Sequence, residues 1–209
     1  MSCPLCQSSQ ISLFYKEAKS REFWRCQDCE YVFVPAEFHL SLEQEKARYA
    51  LHENNIDDSG YQNFLMPVVE AVVKFCPARS RGLDFGCGPG PALAAILESR
   101  GYPMNLYDPF FFPDKGALDH QYDFITATEV FEHLREPRGV LVELSKLSDV
   151  LIIMTEQLGN PADFPHWYYK NDPTHIGFFS EASLRWMGNF IRAESFLVTN
   201  RLVVFKHPN

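Results

Sequence analysis

The run Leu83-Asp84-Phe85-Gly86-Cys87-Gly88-Pro89-Gly90 constrains the fold more than any other part of this 209-residue chain. A short apolar segment becomes a glycine-rich bend and then an apolar helical pattern over residues 89–100. Glycines at 86, 88 and 90 remove side chains where backbone must approach a bound ligand closely. Around the bend the hydrophobic pattern alternates. It predicts strands at 82–85, 104–107, 122–127 and 149–155 and helices at 64–75, 89–100, 136–147 and 180–191. Such alternation predicts an α/β fold with a Rossmann-like parallel sheet covered on both faces and ligands at the carboxyl ends of its strands. Two further strands, 194–199 and 202–206, flank Asn200-Arg201, a gap that suits a tight terminal antiparallel hairpin.

The bend selects its ligand by charge. Its G-x-G-x-G order differs from the G-x-G-x-x-G that seats a pyrophosphate on a helix N-terminus. Pro89 removes an N–H that a phosphate would use, and Asp84 places a carboxylate in front of the bend. A diphosphate is repelled there and a cation attracted. S-adenosylmethionine, with a sulfonium, an amino group and an adenosine, meets that description. Asp108, at the end of the next predicted strand, is placed to accept ribose hydroxyls.

Cys3-x-x-Cys6 and Cys26-x-x-Cys29 form two knuckles, whereas Cys76 and Cys87 stand alone. Each C-x-x-C turn can place two sulfurs on one tetrahedral Zn²⁺, so residues 1–37 are expected to form a small zinc ribbon. Four thiolates leave no open coordination position, so the zinc is expected to be structural. The aromatic residues between the knuckles are too few to bury a core, and metal binding would supply much of the folding energy. Cys87 is read as a small filler within the bend, since no activating histidine adjoins it.

Ser41-Leu42-Glu43-Gln44 reads as a capping box opening a helix to about residue 52, followed by a turn-rich joint at 54–60. Residues 38–60 are therefore expected to act as a helical linker or lid, before a main domain at 61–209. The chain carries 19 Lys and Arg against 27 Asp and Glu, a formal charge of −8, and neither 1–37 nor 38–60 is a basic arm. Nucleic acid is thus an improbable partner. The longest aliphatic run, at 150–154, falls far short of the ~20 residues that span a membrane. With no signal-like leader and no disulfide framework, a cytoplasmic location is expected.

Taken together, Leu83 to Gly90, Tyr107-Asp108-Pro109, and Tyr122-Asp123-Phe124-Ile125 leading into Glu129-Val130-Phe131-Glu132-His133-Leu134 resemble the class I S-adenosylmethionine-dependent methyltransferases. The resemblance covers about residues 61–209, and the terminal hairpin belongs to it. More narrowly, the whole chain is similar to a bacterial group with an N-terminal four-cysteine ribbon. That group shares His52-x-Asn54, Gly60-Tyr61 and Trp167-Tyr168-Tyr169-x-x-Asp172-Pro173-Thr174-His175. The resemblance implies that Asp84, Gly86 and Gly88 line the methionine and sulfonium end, with Gly90 supporting the loop, Asp108 holding the ribose, and Cys87 and Pro109 as further cofactor-binding positions. It places Thr128 and Glu129 beside the methyl group.

Methyl transfer from a sulfonium needs collinear positioning above all, and a base only if the acceptor arrives protonated. His175 in its polar cluster, His133 after the fourth strand and Glu129 are the catalytic candidates, with His166 a weaker one. Tyr61, Phe111, Trp167, Tyr168 and Asp172 are the candidates for contacting substrate, and Phe110, Phe112 and Tyr169 for completing a pocket wall. A small-molecule acceptor is the favoured partner and a protein side chain the second. Two other readings stand beside this one. One is a cofactor-binding, non-catalytic module that docks a protein through its ribbon; the other is a nicotinamide-dependent oxidoreductase, which G-x-G-x-G and Asp84 disfavour.

Overall fold

Side-chain alternation along the central strands decides how the layers assemble. In this computed structural model, which describes residues 1–17, 21–51, 57–197 and 199–208, every residue of β7 (Val150–Met154) is buried. Val150, Ile152 and Met154 pack against α2 (Ser59–Phe75) and α3 (Ala92–Ser99). Leu151 and Ile153 pack on the other face, against α4 (Pro137–Leu147) and α5 (Glu181–Ile191). A strand buried on both faces has no polar side, which is why 150–154 reads as an unbroken apolar run.

The main sheet has the order β5-β4-β6-β7-β10-β9. β4 (Gly82–Phe85), β5 (Met104–Tyr107), β6 (Phe124–Thr128) and β7 are parallel. β10 (Leu202–Lys206) inserts antiparallel between β7 and β9 (Glu194–Leu197), so the terminal hairpin forms as expected. β9 ends at Leu197, and Val198, within the predicted strand 194–199, lies outside the described residues.

Several element boundaries move. α2 begins at Ser59 because the Asp58 carboxylate caps Gly60 and Tyr61 N–H at 2.7 and 3.3 Å, turning the end of the predicted joint into a helix start. α3 begins at Ala92, leaving the whole glycine bend outside the helix. The capping box is present: Gln44 N–H donates to Ser41 Oγ and Ser41 N–H to Gln44 Oε1, opening α1 (Leu42–Tyr49). α1 ends at Tyr49, three residues short of the expected end. Residues 52–56, with His52 and Asn54, lie outside the described residues.

The N-terminal segment is not self-contained. β1 (Ile11–Lys16), β2 (Glu22–Cys26) and β3 (Val32–Phe33) form an antiparallel sheet whose fourth strand is β8 (Gly177–Phe178). One side of this sheet joins Phe23 to Phe164 and Phe178, and the other joins Tyr31 to Phe179. The ribbon thus takes the core it lacks from the 158–179 segment. Gly177 is required at this joint, since a Cβ there would lie 1.8 Å from the Tyr31 hydroxyl oxygen. Among the described residues, no helix is long and apolar enough to cross a membrane.

Candidate active site

The parallel register brings the ends of β4, β5 and β6 to one edge, where a cavity of about 740 Å³ opens. That volume lies within the ~300–1,000 Å³ range of small-molecule sites. The glycine bend forms its base. Gly86 and Gly88 take φ of +74° and +66°. A Cβ on Gly86 would also meet Val130 Cγ2 at 2.5 Å, so close packing of the bend against the end of β6 excludes any side chain.

Asp108, just beyond β5, organises the bend. Its Oδ2 accepts Gly88 N–H at 3.0 Å, and its Oδ1 accepts Phe110 N–H and Phe111 N–H at 2.8 and 3.1 Å. A carboxylate has about four acceptor positions, so three are filled by backbone and capacity remains for one ligand hydroxyl. This qualifies the expectation that Asp108 accepts ribose hydroxyls, since most of the carboxylate already builds the loop. Asp84 lies opposite Thr126 in the parallel register and accepts its hydroxyl at 3.0 Å. Burial pushes the Asp84 carboxyl up to about 7, with the Thr126 hydrogen bond opposing and the Asp108 charge adding to the rise.

Gly86, Gly88, Asp108, Pro109, Thr128 and Glu129 line the main cavity. Asp84, Cys87 and Gly90 line a side pocket of about 40 Å³ that shares Gly86 and Thr128 with it. Every predicted cofactor residue therefore borders one or the other. Burial, aided by the Asp84 and Asp108 charges, raises the Cys87 thiol, in keeping with a filler rather than a nucleophile.

Thr128 Oγ1 and Glu129 Oε1 are buried with no hydrogen-bond partner among the described residues. Unpartnered buried polar atoms on a cavity wall are what a polar ligand would satisfy. Glu129 also holds φ of +52°, a strained conformation for a non-glycine residue. Burial, with the Glu132 charge close by, pushes its carboxyl up to about 9.

Both predicted histidines reach the same wall. His133 Nδ1 pairs with the Thr174 carbonyl at 3.0 Å and His175 Nδ1 with the Tyr169 carbonyl at 2.7 Å. A carbonyl only accepts, so each ring carries a proton on Nδ1, and Nε2 is the nitrogen that keeps a lone pair in the neutral tautomer. The rings meet edge to face with centroids 4.7 Å apart. Burial lowers the His175 pKa, with Glu132 opposing, and so favours the neutral ring.

Of the predicted substrate contacts, Tyr61 and Phe111 line the cavity, with Phe110 beside them. Trp167, Tyr168 and Asp172 do not. Trp167 Nε1 and the Tyr168 hydroxyl both donate to the buried Glu156, which also takes Arg201 at 2.5 Å. A buried carboxylate with several donors draws in nearby amphipathic rings, and aromatic composition alone does not separate that fate from a pocket wall. Asp172 holds Thr174 N–H and Oγ1 at 2.9 and 2.6 Å and pairs with Arg48 of α1 at 3.3 Å. Despite burial, the Thr174 bonds and the neighbouring His175 and Arg48 bring its carboxyl down to about 2. It shapes the His175 loop rather than touching the cavity. His166 is exposed and also outside the lining.

Sequence reasoning read residues 38–60 as a linker or lid but singled out none of its side chains as cavity wall. Leu42, Glu45 and Tyr49, spaced on one face of α1, line the cavity opposite the bend. Arg135 fixes that helix by donating to Glu45 Oε1 and the Leu40 carbonyl, both at 2.8 Å. Tyr49 packs edge to face on His133. The capping box signalled the helix, and the three cavity-facing positions were legible as its i, i+3, i+7 stripe. Sequence reasoning also passed over the fully buried Glu132, which accepts the Tyr169 hydroxyl on Oε1 while its Oε2 has no partner among the described residues.

The four ribbon cysteines converge. Sγ of Cys3 lies 3.7 Å from that of Cys29, Cys6 and Cys26 are 3.3 Å apart, and all four lie within 4.8 Å of one another. No disulfide joins them. The edge of a tetrahedron with Zn–S bonds of about 2.3 Å is ~3.8 Å, so the cluster fits one zinc ion.

A family model described as a methyltransferase domain matches residues 58–189, more than half of the chain. No curated protein matches its sequence. Among solved structures, the chain is similar to an O-methyltransferase family protein from Burkholderia thailandensis at 14% identity and a TM-score of 0.51, over 79% of this chain. It is also similar to magnesium protoporphyrin IX methyltransferase from Synechocystis PCC 6803 with bound SAH, at 16% identity and 0.51. That match covers 80% of this chain and 95% of the other. The chain spans only 63% of the Burkholderia protein's length. The protein belongs to this methyltransferase family, and its fold is that of the class I, S-adenosylmethionine-dependent enzymes.

Proposed function

We propose that this methyltransferase moves the methyl group of S-adenosylmethionine onto a small-molecule acceptor held under α1, beside the His133–His175 pair. The observation that carries this reading is one cavity that joins the glycine bend, the unpartnered Thr128 and Glu129 oxygens and both histidines. When bound, S-adenosylmethionine supplies an electrophilic methyl carbon on a sulfonium; attack by the acceptor's lone pair breaks the C–S bond, whose electron pair stays on sulfur.

The chain's part is to position and to exclude water. Asp84 and Asp108 face the cationic and ribose ends, and Gly86 and Gly88 allow backbone contact with the donor. Tyr61, Phe110, Phe111 and the α1 face give the acceptor an apolar enclosure. Alignment contributes on the order of 7–11 kcal/mol, against ~10²–10⁴-fold from a general base. His175 or His133, through Nε2, takes the acceptor's proton where there is one. Glu129, protonated at neutral pH, donates a hydrogen bond rather than accepting a proton.

The zinc ribbon is read as structural, holding the loop that carries His175. Six cysteines without a disulfide suit a reducing compartment such as the cytoplasm. The non-catalytic docking alternative gains no support, because the ribbon's aromatic faces pack on its own chain. A metabolite screen scored by S-adenosylhomocysteine release tests the reading. Acceptor-dependent release that falls in His133→Ala and His175→Ala is expected; release in which neither substitution matters removes the histidine pair from the reaction.

A further inference from the structure

We infer that Glu132, His133 and His175 form a second metal site, for a divalent transition-metal ion in the wall of the methyl-transfer cavity. A carboxylate oxygen of Glu132 and one ring nitrogen from each histidine lie within 4.8 Å of one another. Ligands on one tetrahedral ion with bonds near 2.1 Å stand ~3.4 Å apart, a spacing inside that bound.

Three observations point to an ion rather than to a chance cluster. Both imidazoles are oriented by backbone carbonyls at Nδ1, as metal-binding histidines are, which frees Nε2 for coordination. Glu132 is 0% exposed, yet its Oε2 has no hydrogen-bond partner among the described residues. A buried carboxylate oxygen left unpaired is costly, and a cation is the natural partner. The Tyr169 hydroxyl holds the other oxygen, so the carboxylate is oriented as well.

Two imidazoles and one carboxylate are borderline donors that suit zinc, iron, manganese or cobalt ions. Three protein ligands leave open positions, and both histidines line the cavity, so the open side faces the acceptor. An acceptor hydroxyl is one group that would coordinate at that open side. A hydroxyl bound there loses its proton to water near neutral pH because the cation lowers its pKa. With the ion present, the imidazoles serve as ligands and the ion takes over activation of the hydroxyl. What the ion does rests on the methyltransferase reading; the site itself rests on geometry alone.

The full chain, dialysed against Zn²⁺ and separately against Co²⁺, provides the test. Elemental analysis is expected to show a second equivalent of metal beyond the ribbon's own. Cobalt at the ribbon gives thiolate charge-transfer bands in the near ultraviolet. Cobalt at the second site adds only weak visible bands, which vanish in His133→Gln/His175→Gln while the thiolate bands persist. If the double variant fails to fold, Glu132→Gln alone must lose the second equivalent. A single equivalent in the wild type, or a second one surviving these substitutions, overturns the inference. S-adenosylhomocysteine titrated into the same samples keeps the two readings apart. Heat of binding without the second metal sinks the ion site alone, and absence of heat sinks the donor reading whatever the metal count.

Discussion

Arg21, at the threshold of β2, donates from its guanidinium to the backbone carbonyl of His175, 154 residues further along the chain. The same guanidinium reaches the carbonyls of Lys170 and Asp172 at 3.1 and 3.0 Å. One rigid cationic fork thus holds three carbonyls of the loop that carries a candidate catalytic side chain. Lys170 strengthens the link through Glu17 at 3.1 Å. The ribbon acts on the site by holding this loop.

Arg21→Ala leaves those carbonyls without their charged partner and should cost on the order of 3 kcal/mol. Faster amide hydrogen exchange across residues 170–176 and a lower melting temperature are expected. Affinity for S-adenosylhomocysteine should stay within about twofold, since the glycine bend does not touch Arg21. Unchanged exchange in that segment would show that the ribbon does not hold the loop.

Asp108→Ala should weaken S-adenosylhomocysteine at least about tenfold, because a charge-assisted hydrogen bond is worth ~1.5–3 kcal/mol and Gly88 N–H also loses its acceptor. Asp108→Asn, which keeps one oxygen, should lose less. Calorimetry reads both, and equal affinity in all three proteins removes Asp108 from the donor site.

Asp84 predicts a pH dependence of definite sign. Its folded carboxyl titrates near 7, above the ordinary value near 4, so the ligand-free fold binds a proton that the unfolded chain releases. That contribution to stability is fully present below about pH 4 and is lost as pH rises through about 7. Donor binding runs the other way: the cationic amino acid end favours ionised Asp84, so affinity should rise by up to about tenfold per pH unit from 6 to 7. Both trends should flatten in Asp84→Asn. Melting and calorimetric titrations across pH 5 to 8 check them, and a wild-type affinity that falls with pH contradicts the assignment.

Cys26→Ser should remove the thiolate-bound zinc and loosen more than residues 1–37. The ribbon sheet ends on β8, so amides of Gly177 and Phe178 should exchange faster as well. Full retention of thiolate-bound zinc, read by elemental analysis and cobalt substitution, would contradict the ribbon.

Local chemistry made much of this legible in the sequence. The glycine bend with its two carboxylates, the paired C-x-x-C knuckles, the capping box at Ser41 and the two-faced apolar run of β7 each declare themselves within a few residues. What stayed hidden depends on distant partners. β8 is two residues long and has no alternation to detect, and its place beside β3 follows from Tyr31 packing over Gly177. Trp167 and Tyr168 have the composition of a pocket wall, but the buried Glu156 and Arg201 claim them. Glu132 adjoins His133 in sequence; only the fold shows that it is fully buried and half unpaired. Arg21 offered no signal, since its three acceptors are backbone carbonyls far along the chain.

The most direct measurement is calorimetric titration of the full chain with S-adenosylhomocysteine, with NAD alongside and Gly86→Val as the control. Valine at this position combines a φ of +74° with a clash against Val130, so it should close the bend. Binding in the micromolar range by the wild type, lost in Gly86→Val and absent for NAD, is the predicted result. Heat with NAD but none with S-adenosylhomocysteine, or S-adenosylhomocysteine binding indifferent to Gly86→Val, would contradict it.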